Sequence, residues 1–135
     1  PFYILIIKEI YNMEQLASIF FHSRTQAHQF HTGVNGPGSL ALHLALETYY
    51  TELIPLLDGL IEAYQGKYGL ITYKQVNGID TDSSKENIIA YFDKLIKFLE
   101  NERQQDKLKV SWIQNELDNI AKLLYSTKYK LINLG

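Results

Sequence analysis

Four stretches of this chain repeat apolar residues at the spacing of an α-helix, and the breaks between them differ greatly in length. Leu16, Phe20 and Ala27 mark the first stretch, which opens on Asn12 with Gln15 three residues on, as a capping box does, and stops at Gly33. It predicts a helix over 13–32. Residues 32–38 hold three glycines and a proline, after which Ser39 is placed to cap a second helix over 39–66 with Leu42, Leu46, Tyr49, Leu53, Leu57 and Leu60 on one face. Ser83 and Glu86 form another capping box, opening a third helix whose stripe, Ile88, Phe92, Leu95, Ile96 and Leu99, ends in the polar run 101–106. Val110, Ile113, Leu117, Ile120 and Leu124 define the fourth, with Lys128 and Lys130 near its end, where cations suit the helix dipole.

The unequal breaks choose a topology. Short first and last connections force antiparallel neighbours, whereas residues 67–83 form a long one. A helix over 39–66 is about 40 Å long, and the extended connection reaches roughly 55 Å, enough to travel the whole bundle. The second and third helices are therefore expected to be parallel. An all-α, ferritin-like four-helix bundle with one long crossover between them is the fold that results. Leu70, Ile71, Tyr73 and Val76, ahead of the turn signal Asn77-Gly78, make that crossover read as extended or partly strand-like. Residues 13–135 form one domain on this reading. Residues 1–12 stand apart as an N-terminal extension, an edge strand or a start-site remnant, alternatives the sequence leaves open.

Composition removes several functions. Thirteen Lys and Arg against fifteen Asp and Glu leave a net charge of -2, which predicts that DNA binding is weak or absent. The chain has no cysteine, so any metal site is built from His, Asp and Glu. The apolar run 2–7 is too short for a membrane helix and lacks the flanks of a secretory signal, so the expected location is the cytoplasm. Gly33-Val34-Asn35-Gly36 follows a helix instead of a strand, the wrong setting for a phosphate loop.

Ligand-type residues concentrate on the second helix. His43 and Glu47 are four apart, as are Asp58 and Glu62, and at 100° per residue all four fall within an arc of roughly 100°. The same spacing also describes an ordinary wet helix face. His31 lies on the apolar face of the first helix, where a lone histidine is commonly a hydrogen-bonded core residue. Asp58 is about 22 Å beyond His43 along one straight helix, so the two pairs cannot share an ion within one chain. Antiparallel packing of this helix against its own copy would bring them together twice per dimer. Pro55 removes a backbone donor between the pairs and predicts a bend. His28 and Tyr50 fall near the histidines in helical phase and read as surface and packing residues, and His22 receives no role.

The stretch His31-x11-His43-x3-Glu47-x10-Asp58-x3-Glu62, with Gly36-Pro37 between the histidines, resembles the Dps family, the ferritin-like proteins that protect DNA during starvation. Similar Dps-like sequences occur in tailed phages, which would place the protein in a host cytoplasm. The resemblance implies a ferroxidase centre at a two-fold dimer interface, with His31 and His43 from one subunit and Asp58 and Glu62 from its partner. Glu47 stands where the family usually has a supporting aspartate. It also implies iron storage and oxidative protection, Fe(II) oxidation commonly with hydrogen peroxide, and assembly into a dodecameric shell. Imidazole and carboxylate ligands suit zinc and manganese as well as iron. The alternative from another class is a structural or assembly protein on the same bundle with a vestigial metal site.

Overall fold

A computed structural model describes residues 12–135; the expectations for residues 1–11 lie outside it. The described chain is an all-α four-helix bundle. Its elements are α1 (Asn12–Gly33), α2 (Ser39–Tyr68), α3 (Lys85–Glu102), a 3-10 turn (Asp106–Leu108) and α4 (Ser111–Asn133). There is no strand among the described residues, and the crossover over 69–84 is extended without being strand-like. No described helix is long and apolar enough to cross a membrane.

The apolar stripes do what their spacing predicts. Leu16, Phe20, Leu46, Tyr49, Leu53, Leu57, Phe92, Leu99, Ile113, Leu117 and Leu124 meet in one core shared by all four helices. Three cap assignments shift by one residue, the first because α1 already includes Asn12. α2 is preceded by Gly38, with φ +81° and no side-chain cap, so Ser39 is already helical. A side chain at position 38 would be strained by that φ and would meet Gly135, which explains why glycine occupies the cap position and Ser39 does not. α3 is capped by Ser84, whose Oγ accepts from the Asn87 amide at 3.3 Å, and not by Ser83, which packs against Gly33.

Contacts at the helix ends fix the directions. Gly33, closing α1, lies against Ser83, just before α3. Gly38, opening α2, lies against Gly135, just past α4, and at the other end the Tyr68 hydroxyl reaches the Lys107 carbonyl at 3.5 Å. α1 therefore runs antiparallel to α3 and α2 antiparallel to α4, which leaves α2 and α3 parallel as the long connection requires. α2 is unbroken through Pro55, so no fold-back joins its two ends within one chain.

The crossover is held by a ladder of side chains on α1. Glu14 Oε1 accepts from the Thr72 amide at 2.8 Å, and Ser18 Oγ accepts from the Lys74 amide at 2.7 Å. His22 Nε2 donates to the Gly78 carbonyl at 3.1 Å, and Gln26 exchanges two hydrogen bonds with the backbone of Asp80 at 2.8 and 2.9 Å. These four positions recur every four residues, one per turn, on a single stripe of α1. An extended segment cannot satisfy its own amides, and this stripe supplies the partners.

Candidate metal centre

Where the last turn of α1 meets the first turns of α2, the short 34–38 loop places His31 beside His43. Their rings stack with centroids 3.5 Å apart and planes inclined by 22°. The Nδ1 of His31 lies 2.8 Å from the His43 carbonyl oxygen, and the Nδ1 of His43 lies 2.9 Å from the His31 carbonyl oxygen. A carbonyl only accepts, so each Nδ1 carries the proton, and in each neutral ring the unshared pair is on Nε2. Each histidine thus fixes the orientation and tautomer of the other through the backbone. Such a bond from the second ring nitrogen is the arrangement that prepares histidine for a metal.

Glu47, one turn beyond His43, completes the group. One ligand atom from each of His31, His43 and Glu47 lies within 4.8 Å of the other two. The histidines are half-buried and Glu47 is exposed. Ligand atoms on one ion with bonds of about 2.1 Å lie at most about 4.2 Å apart, so binding an ion would draw the three groups slightly closer together. Two imidazoles and one carboxylate suit iron, zinc or manganese, with positions left over for further ligands. His28 stacks on Tyr50 at 4.4 Å, and the Tyr50 ring meets His31 edge-on at 5.5 Å. His28 is exposed and Tyr50 packs against the core, as their surface and packing roles suggested, and both lie beside the cluster.

Asp58 and Glu62 are exposed on the outward side of α2, and within one chain the structure does not bring them to the histidines. Their continuous helix keeps them about 22 Å and about 28 Å from His43. Two groups escaped sequence reasoning. One is the α1 ladder, including His22, whose signal was the polar residue on every turn at 14, 18, 22 and 26. The other is the polar contact of Tyr49, a residue buried as its place on the apolar face predicted, whose hydroxyl donates to Ser23 Oγ at 2.7 Å while Ser23 donates to the Phe20 carbonyl. Burial holds the Tyr49 phenol far above its ordinary range, so it stays protonated and structural.

Fold and site together define a four-helix bundle with a histidine-carboxylate cluster at one end. The chain belongs to a family of unknown function, DUF5856, which matches residues 38–131. That span contains His43, Glu47, Asp58 and Glu62, while His31 lies before it. No curated protein and no solved structure matches the chain.

Proposed function

We propose that this protein is a Dps-like iron-binding protein that takes up Fe(II) at His31, His43 and Glu47 and oxidises it at a site completed across a two-fold dimer. The observation that carries this reading is the pair of crossed ring-to-carbonyl hydrogen bonds, which leaves two Nε2 atoms ready to ligate beside a carboxylate. Asp58 and Glu62 of the partner subunit supply the oxygen ligands that a single chain cannot bring. Iron is cargo here. With hydrogen peroxide as oxidant, each of two Fe(II) ions gives up one electron, and the peroxide with two protons leaves as two waters. Zinc or manganese would compete for the same ligands. A cytoplasmic setting, where Fe(II) is accessible, suits this role, and a net charge of -2 supports no part in holding DNA. A closed shell built from such dimers is the storage form this reading expects.

Mixing two inactive variants tests the shared site. His43→Ala and Asp58→Ala proteins are unfolded together and refolded as a random mixture. Half of the dimers are mixed, each with one site carrying both defects and one carrying neither, so about a quarter of all sites should regain iron oxidation. Recovery of none would overturn the intersubunit assignment. Purified protein that takes up no Fe(II) under anaerobic titration would leave the bundle as a structural or assembly protein.

A further inference from the structure

The outward face of α2 carries two opposing features. Leu40 and Leu44 are 68% and 51% exposed, one turn apart, on the same side of the helix as Asp58 and Glu62. Exposed leucines in this arrangement favour being covered. The exposed carboxylates of α2 are Glu47, Glu52, Asp58 and Glu62, and among the described residues none is within ion-pair distance of a cation. The only basic side chain on α2 other than His43 is Lys67, near its far end.

The ligand pattern is palindromic. The midpoint between His43 and Glu62 and the midpoint between Glu47 and Asp58 fall at one place, between Glu52 and Leu53. A single two-fold axis there sets His43 opposite Glu62 of the partner subunit and Glu47 opposite Asp58 of the partner subunit, in one register and twice per dimer. That register covers Leu40 and Leu44. It also presses carboxylate against carboxylate, an arrangement that is repulsive unless a cation lies between them.

We infer that pairing of two copies through α2 is gated by the metal: the chain is a monomer without a divalent ion, and the ion held by His31, His43 and Glu47 recruits a second copy through the partner's Asp58 and Glu62. The inference rests on the metal-site reading above and adds to it a control of assembly. The same ion neutralises the repulsion and supplies the bond, so occupancy and assembly rise together.

The experiment is the mass in solution of the full chain at micromolar concentration, by sedimentation equilibrium, first with a chelator and then with stoichiometric Zn(II) as a redox-inert probe. Zn(II) binding is measured in parallel by calorimetry, and folding by circular dichroism. Expected is a monomer with chelator and a doubled mass with Zn(II). The Asp58→Ala/Glu62→Ala protein, which has lost both the repulsion and the partner ligands, should bind Zn(II) at least about tenfold more weakly and show the same mass with chelator and with Zn(II). A dimer that persists in chelator and still binds Zn(II) overturns the gating and leaves the shared site standing. A monomer that binds Zn(II) without pairing overturns both the gating and the intersubunit site. Failure of the folded wild type to bind Zn(II) overturns the metal-site reading itself, and with it this inference.

Discussion

The two short connections of the bundle are both bridged by polar side chains, and they differ in what those side chains leave unused. At the α3–α4 connection Arg103 gives its Nε to Gln114 Oε1 at 3.0 Å and its Nη2 to the Gln114 carbonyl at 3.2 Å, and it pairs with Asp118 and with Glu100. Gln114 Nε2 returns bonds to the carbonyls of Arg103 and Leu108 at 2.9 and 2.6 Å. The clamp consumes its donors internally and presents no unshared nitrogen pair. At the α1–α2 connection His31 and His43 spend only Nδ1 on the backbone and keep Nε2, with Glu47 unpaired beside them. A polar cluster that closes on itself holds a turn, whereas one that closes halfway is prepared for a ligand.

The largest effect that would break this comparison is on metal affinity. Replacing His31 or His43 by alanine removes a ligand and the ring stacked on the remaining one, which keeps only its bond to the backbone carbonyl, so Fe(II) or Zn(II) affinity should fall by at least about 100-fold. Arg103→Ala should leave it unchanged. Calorimetric titration of the three proteins checks this, and a loss of affinity in the Arg103 variant would make the contrast between the turns meaningless.

Stability should respond in the opposite sense. Gln114→Ala leaves two carbonyls and the Arg103 guanidinium short of partners, a loss of about 2 kcal/mol in chemical denaturation. Glu47→Ala, at an exposed position with no internal bond, should fall within about 0.5 kcal/mol of wild type. An equal cost for the two would mean that Glu47 is structural.

Most of the bundle was legible because apolar periodicity is a local property written along each helix. Leu46, Leu53, Phe92 and Leu117 lie inward for the reason their spacing gave. The crossed bonds between His31 and His43 were not legible, because they depend on how a glycine-rich loop brings two helix ends together. Cap positions failed by one residue at Gly38 and Ser84 because the choice between adjacent residues is made by tertiary neighbours, Gly135 in one case and Gly33 in the other. The role of His22 was missed since its partner is a backbone carbonyl in an extended segment, so that only the recurrence of polar residues on every turn of α1 pointed to it.

The crossover sharpens the comparison further, for it is a third polar closure, and like the Arg103 clamp it is self-contained. Gln26→Ala removes both bonds to the Asp80 backbone and leaves an amide and a carbonyl unpaired beside a buried position. The expected cost is about 1–2 kcal/mol, with faster hydrogen exchange at Asp80 and no change in metal affinity. Reduced affinity in this variant would show that the crossover also positions the histidines.

The smallest effect concerns acid. Asp80 is held below the usual carboxylate range, chiefly by the 2.7 Å hydrogen bond from the Asn87 side chain and then by the Asp82 amide. A carboxyl whose folded pKa is depressed contributes stability above its unfolded value of about 3.9, and the contribution disappears as pH falls through the lower folded value. Below about pH 4 the end of the crossover and the first turn of α3 should therefore loosen together, while the Arg103 clamp keeps its Gln114 bonds, which involve no carboxylate. Hydrogen exchange compared at pH 5 and pH 3 should rise at Asp82 and Asn87 more than at Gln114. Asp80→Asn retains an oxygen that accepts but loses the charge, and should abolish the difference between the two pH values. If the substituted protein still loosens at the same pH, the acid response belongs to another carboxylate, and the Asp80–Asn87 contact is a consequence of the crossover's path rather than one of its anchors.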